Sequence, residues 1–225
     1  MLVRIDNVLS REELDTLGRQ LAELKFEDGR STAGEVAQRV KHNLQITVDR
    51  EPRARPMADL VTAAANRNQT FISATLPSKM STPMFNFHEI GMSYGNHVDG
   101  AITGSRTFRM RTDIAVTVFL TRPEDYDGGE LTVEDAYGAR RIKLSAGSAI
   151  VYPARSVHRV EPVTRGVRLA AVFWVQSMVR DDARRNILFD IDVVINNLRK
   201  RSSDLPEITA LSSCYHNLLR EWGEV

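Results

Sequence analysis

His97, Asp99 and His158 are the side chains of this 225-residue chain whose types and spacing best suit metal chemistry. His97 and Asp99 lie one residue apart in Asn96-His97-Val98-Asp99-Gly100, a spacing that puts both on the same side of an extended strand. Such a triplet is weak by itself in a chain with five histidines. A polar turn in which Asp99 caps backbone amides is the competing reading. His158, near a strand start in Tyr152-Pro153-Ala154-Arg155-Ser156-Val157-His158, supplies the third ligand that a metal reading needs. Two imidazoles and one carboxylate on one face of a metal leave the other face open. That arrangement suits non-haem Fe(II), which must admit a bidentate cosubstrate and then dioxygen.

Arg168 follows His158 by ten residues, inside the apolar run Val167-Arg168-Leu169-Ala170-Ala171-Val172-Phe173-Trp174-Val175. A charge there is expensive to bury without a partner. Glu161 is one candidate partner, across a hairpin closed near Thr164-Arg165-Gly166. The other is the distal carboxylate of a bound dicarboxylate, which a guanidinium grips through two parallel hydrogen bonds. At about 3.3 Å per strand residue, Arg168 falls about 10 Å from the metal, a span that fits 2-oxoglutarate held by its keto-acid end. Ala170, Val172 and Trp174 share its face and are expected to line the same cavity. Arg106, Arg109 and Arg111 cluster after the first two ligands in what reads as a loop. They are either a solvated basic surface or a recognition site for an acidic substrate, such as a carboxylate-bearing or iron-chelating small molecule.

These residues need a scaffold, and the pattern around them is mostly β. Ser10 with Glu13 forms a capping box, with Leu9 placed to staple onto Leu14, and Leu14, Leu17, Leu21 and Leu24 then recur at helical spacing. Residues 31–49 read as partly irregular, and a second helix is expected from Pro56 to about Asn66. Strands are expected at 71–74, 85–90, 114–120, 130–133, 141–144, 149–152, 157–160 and 167–176, from their β-branched and aromatic content and flanking turn residues. Asp127-Gly128-Gly129 and Ala146-Gly147-Ser148 supply turns. Successive strands without intervening helices favour an antiparallel sandwich or jelly roll over a parallel sheet. Two helices end the chain. Ile187, Ile191, Val194, Ile195 and Leu198 form the stripe of the first. The second opens near Asp204-Leu205-Pro206, with Ile208, Leu211, Tyr215, Leu218 and Trp222 as its stripe. The expected division is 1–178, a jelly-roll domain with N-terminal helices, and 179–225, a helical extension that covers a sheet face or pairs two subunits as a homodimer.

Thirty basic and 29 acidic residues leave a net charge of +1, which gives no global reason to expect nucleic acid or an anionic membrane as partner. No secretory signal is evident, and no apolar run approaches the roughly 20 residues of a bilayer span. A single cysteine, Cys214, excludes an internal disulfide and a cysteine metal cluster, and reads as a packing residue. A cytoplasmic protein is expected.

Longer motifs sharpen this picture. Val8-Leu9-Ser10, Val40-Lys41-His42-Asn43-Leu44-Gln45, Gly91-Met92-Ser93-Tyr94-Gly95-Asn96-His97-Val98-Asp99, Arg111-Thr112-Asp113, Asp125-Tyr126-Asp127-Gly128-Gly129-Glu130-Leu131, Tyr152-Pro153 and the tail Tyr215-His216-Asn217-Leu218-Leu219-Arg220-Glu221-Trp222 run through nearly the whole chain. Together they resemble the PKHD-type hydroxylases, a bacterial branch of the prolyl-4-hydroxylase-like Fe(II)/2-oxoglutarate dioxygenases. The resemblance implies a double-stranded β-helix core, His97, Asp99 and His158 as iron ligands, and Arg168 as the 2-oxoglutarate anchor. It implies an oxidoreductase that consumes dioxygen, releases succinate and carbon dioxide, and uses ascorbate as reductant. By looser analogy, Tyr94, Phe119, Leu131 and Trp174 fall near the cosubstrate or the substrate mouth. Phe119 replaces a tyrosine of some relatives, and His88 also stands where a tyrosine is expected; it reads as a hydrogen-bonded pocket or core residue. A small molecule and peptidyl proline are both candidate substrates. Two rival classes remain at this point: a cupin-like zinc hydrolase or isomerase, which gives Arg168 no task, and a non-catalytic iron or 2-oxoglutarate sensor.

Overall fold

The strand Arg168–Ser177 organises the molecule, pairing with Ile114–Phe119 on one side and with Met84–His88 and Pro77–Met80 on the other. The computed structural model describes residues 1–105, 107–135, 138–202 and 205–224. Among them an eight-stranded sheet runs in the order Val3–Ile5, Ala149–Pro153, Ile114–Phe119, Arg168–Ser177, Met84–His88, Leu44–Ile46 and Glu27–Asp28, with Pro77–Met80 off this path. A five-stranded sheet follows Gly138–Ile142, Leu131–Asp135, His158–Val160, Ser93–His97 and Lys41–His42. All of these pairings are antiparallel. The two sheets face each other in the jelly-roll arrangement expected of so many short strands.

Alternation decides what each strand contributes. All six residues of Ile114–Phe119 are buried, because both faces are covered. Ile114, Val116 and Val118 join a core with Phe85, Phe173 and the N-terminal helices. Ala115 and Phe119 join a second core with Leu131, Val133 and Val160 of the facing sheet. The helices α1 (Arg11–Ala22), α3 (Arg55–Arg67) and α4 (Gln69–Thr75) pack Leu17, Leu21, Met57, Val61 and Phe71 on the outer face of the larger sheet. A one-turn helix α2 (Glu35–Gln38) lies in the irregular stretch before Lys41. The capping box at Ser10 and Glu13 forms as expected.

Three expectations about elements are corrected. Residues 71–74 are helical, not a strand. Asn68 caps the turn by accepting from the Phe71 amide, and Phe71 and Ala74, three apart, both enter the core. Burial at helical spacing outweighs the β preference of Phe71 and Ile72. Arg109 and Arg111 do not sit in a loop, since Arg109–Arg111 pairs with Ile102–Gly104 as a hairpin; Arg106 lies outside the described residues. On α5 (Asp182–Arg201) the buried stripe is Arg185, Leu188 and Ile195, leaving Ile187 and Val194 exposed. The helix faces its neighbours along a line displaced from the most apolar one, because Arg185 turns inward to donate to the Val179 and Arg180 carbonyls. The last helix, α6 (Pro206–Trp222), places Tyr215, Leu218 and Trp222 against Leu76, Val179 and Leu188. Asp204, expected near its start, lies outside the described residues. Cys214 is exposed on α6 rather than packed.

Phe71 meets Phe173 across the helix–sheet boundary, ring centroids 6.1 Å apart. Phe71→Ala is therefore expected to lower unfolding stability by about 3–5 kcal/mol, read as a shift in the urea midpoint; a change under about 1 kcal/mol would show that α4 does not brace this strand.

Candidate metal centre

The chain brings His97 and His158 together by strand pairing, for they are direct ladder partners in the smaller sheet. Each ring then makes a short hydrogen bond to its own chain: His97 Nδ1 to the Gly95 carbonyl at 2.8 Å and His158 Nδ1 to the Ser156 carbonyl at 3.0 Å. A carbonyl only accepts, so both Nδ1 atoms carry the proton and both Nε2 lone pairs are free to ligate. Burial and the neighbouring His158 hold His97 down to about 3, so it is neutral at physiological pH. Asp99 follows two residues after His97 and lies with Oδ1 3.9 Å from His158 Nε2. One ligand atom from each of His97, Asp99 and His158 falls within 4.8 Å of the others. Among the described residues no second group of three or more such side chains converges this way.

The surroundings orient these three side chains. Trp174 Nε1 donates to Asp99 Oδ2 at 2.8 Å. The Tyr94 ring stacks on His97 with centroids 3.5 Å apart, and Tyr152 meets His158 edge-on at 5.2 Å. Burial pushes the Asp99 carboxyl up from its ordinary value, against the pull of His158 and Trp174. A divalent cation at this point would reverse that cost. Two neutral imidazoles and one carboxylate are the donor set suited to Fe(II).

These three side chains open on a cavity of about 240 Å³. Arg168, Ala170, Val172 and Trp174 line it from the larger sheet, as alternation along the strand predicts, and Tyr94 and Leu131 line it from the smaller one. Phe119 is not on the cavity wall; its buried ring centroid lies 5.6 Å from the Arg168 guanidinium carbon. Glu161 is not the partner of Arg168, because it accepts instead from Thr132 and Arg159. Arg168 is 2% exposed, and its Nε has no hydrogen-bond partner. Around it, the Tyr126 hydroxyl, both nitrogens of His88 and Asn86 Oδ1 are likewise buried without hydrogen-bond partners. His88 faces Arg168 in the ladder, and burial with that nearby cation holds it well below its ordinary value. The expectation that His88 is hydrogen-bonded within the protein is thus not met. Gly129, with φ +64°, approaches so closely that a Cβ there would stand 3.1 Å from Arg168 Cδ. The Asp-Gly-Gly turn, visible in the sequence only as a turn, thus makes room for the arginine.

Neither Arg109 nor Arg111 lines the cavity. Arg111 is held by Asp113 and Glu224. Lys41, which the sequence shows only as part of a motif, does line it.

Comparison with known proteins agrees with this geometry. Residues 83–176 match the family model for the 2OG-Fe(II) oxygenase superfamily, and residues 182–224 match that for the PKHD-type hydroxylase C-terminal domain. A PKHD-type hydroxylase of Hyphomonas neptunium is 54% identical and one of Burkholderia ambifaria 50% identical, each alignment covering 100% of both chains. Among solved structures, an oxidoreductase of the 2OG-Fe(II) oxygenase family from Burkholderia pseudomallei superposes with a TM-score of 0.58 at 18% identity, covering 80% of this chain and 85% of that one. That last likeness concerns the fold.

Trp174→Phe keeps the ring's bulk but removes the hydrogen bond to Asp99. It is expected to weaken Fe(II) binding by about 10–100-fold, measured anaerobically by competition with a chromogenic chelator. Unchanged affinity would show that the indole does not orient the carboxylate.

Proposed function

The chain belongs to the PKHD-type hydroxylase family, and from that premise we propose that His97, Asp99 and His158 hold its Fe(II) and that Arg168 anchors 2-oxoglutarate. The chain is accordingly an oxidoreductase enzyme of the 2OG-Fe(II) oxygenase class. The observation that carries the anchor assignment is the burial of Arg168 on the wall of the cavity that the three ligands enter, without a carboxylate partner among the described residues. An unpaired buried guanidinium is costly, and a dicarboxylate that reaches it from the metal removes the cost. The unpartnered Tyr126 hydroxyl and His88 imidazole beside it add two further groups able to donate to the same carboxylate. A zinc hydrolase on the same three ligands leaves all of these groups without a task.

When bound, Fe(II) and 2-oxoglutarate supply the oxidising power for hydroxylation, with dioxygen consumed and succinate and carbon dioxide released. The protein's part is to position and to shield. Nδ1 hydrogen bonds aim both imidazoles, and Trp174 aims Asp99. Apolar walls from Ala170, Val172, Leu131 and Val160 limit water at the reacting centre. Tyr94, Leu131 and Trp174 are placed to contact cosubstrate or substrate.

Ascorbate as reductant follows from the class of chemistry. Cytoplasmic location is supported by the single cysteine, and among the described residues no helix is long and apolar enough to cross a membrane. Pairing of two subunits through the C-terminal helices is supported by the exposure of Ile187, Val193 and Val194 on α5. A division near residue 178 is supported by the separate small core that α5 and α6 build around Leu188. The substrate is a small molecule or a peptide.

The test is 2-oxoglutarate turnover, followed as succinate release with Fe(II), ascorbate and oxygen. The wild type is expected to turn over and Asp99→Ala to be silent. Arg168→Ala is expected to need about 10–100-fold more 2-oxoglutarate, the usual worth of a buried charge-assisted hydrogen bond. Wild-type-like turnover in Asp99→Ala would sink the ligand assignment. An unaltered 2-oxoglutarate requirement in Arg168→Ala would sink the anchor.

A further inference from the structure

We propose that Lys41 anchors a carboxylate of the primary substrate, an inference that rests on the oxygenase reading above. Lys41 sits on the edge strand Lys41–His42 of the smaller sheet, facing Tyr94 in the ladder, whereas Arg168 belongs to the larger sheet. It is only 6% exposed and lines the cavity. Its ammonium donates to Gln45 Oε1 at 2.8 Å and to Thr32 Oγ1 at 3.1 Å. Both acceptors are neutral, and among the described residues no carboxylate stands in ion-pair contact with it. An ammonium has three donors, and the third is free for a ligand.

A purely structural role explains this poorly. Gln45 Nε2 already donates to Thr32 Oγ1 at 2.7 Å, so the tie between these two segments exists without the lysine. A neutral side chain would fill the space without the desolvation cost of a charge. Burial holds Lys41 at about 8, which still leaves it mostly protonated at neutral pH.

Charge balance indicates what the third donor meets. The metal's two positive charges and Asp99 leave one positive charge. A dianionic 2-oxoglutarate turns this to one negative charge, which Arg168 cancels, and an imidazole that ligates through a lone pair adds none. Lys41 is the cation left over, and a single carboxylate on the substrate balances it. Its ammonium lies 5.2 Å from the Tyr94 ring centroid, and that ring stacks on His97, so a group held by Lys41 lies close to the metal ligands. Arg109 and Arg111 are off the cavity wall, and Lys41 is the described cation placed to read an acidic substrate.

The test uses hexanoate and its uncharged counterpart hexanamide as probes. Each is titrated calorimetrically into full-length protein loaded with redox-inert Zn(II) and saturating 2-oxoglutarate, so that Arg168 is already engaged. The wild type is expected to prefer hexanoate by about tenfold or more, Lys41→Met to lose the preference and Lys41→Arg to keep most of it. Should Lys41→Met fail to fold, the wild type still decides: hexanoate, and not hexanamide, must slow trinitrobenzenesulfonate labelling of Lys41 mapped by peptide mass. Equal binding of the two probes by the wild type, equal protection by them, or an undiminished preference in Lys41→Met overturns the proposal. Anaerobic Fe(II) with 2-oxoglutarate gives a visible charge-transfer band if the oxygenase reading holds. Loss of that band in the wild type overturns both readings, whereas its presence without a hexanoate preference overturns the role of Lys41 alone.

Discussion

The two-residue alternation of the strand Arg168–Ser177 is the constraint on which the rest of the structure depends. Leu169, Ala171, Phe173 and Val175 pack with the core under the N-terminal helices, while Arg168, Ala170, Val172 and Trp174 line the cavity. A slip of one residue would exchange the two sets. It would send the guanidinium into the helix layer and carry Trp174 away from Asp99. Register is guarded from both sides. Val116 faces Phe173 and Ala115 faces Trp174 in one ladder, and Phe85 faces Ala171 in the other. The hydrophobic core and the chemistry of the site are thus alternate rows of one strand.

How much of this was legible in the sequence depended on whether a signal was local. The capping box at Ser10 and Glu13 is complete within four residues, and it formed. The run 114–120 and the strand holding Arg168 could be read from composition, because strands buried on both faces are continuously apolar. Residues 71–74 misled because Phe71 and Ile72 suit a strand, and only the cap at Asn68 and the core contacts of Phe71 and Ala74 distinguish a short helix. The hairpin from Ile102 to Arg111 is too short to show a period. On α5 the most apolar line is not the buried one, because a buried arginine occupies a place that periodicity assigns to an aliphatic residue. At the site, His97, Asp99, His158 and Arg168 were legible from type and spacing, and the chain does bring them to one cavity. The contact of Trp174 with Asp99 spans 75 positions and has no local signature. Lys41 stood out in a motif, but nothing in its neighbours says that its ammonium is buried beside a cavity.

The cavity is built with its electrostatics incomplete. Buried groups in a folded protein generally find partners within it. Here Arg168, His88, Tyr126 and Asn86 keep polar atoms that do not, and three of the four lie on paired strands of the larger sheet. Asp99 bears the opposite strain, a carboxylate whose burial favours protonation. Stability and function pull against each other at these positions, and the dense packing on both faces of the larger sheet offsets the cost.

The hydrogen bond from Trp174 to Asp99 also limits how the carboxylate can serve. One oxygen, Oδ2, is committed to the indole, and the other, Oδ1, is the one near His158. A carboxylate so held would turn Oδ1 towards a metal shared with the two imidazoles and keep Oδ2 for the indole. Which oxygen of Asp99 is turned to His158 is thus decided by a tryptophan 75 positions further along the chain.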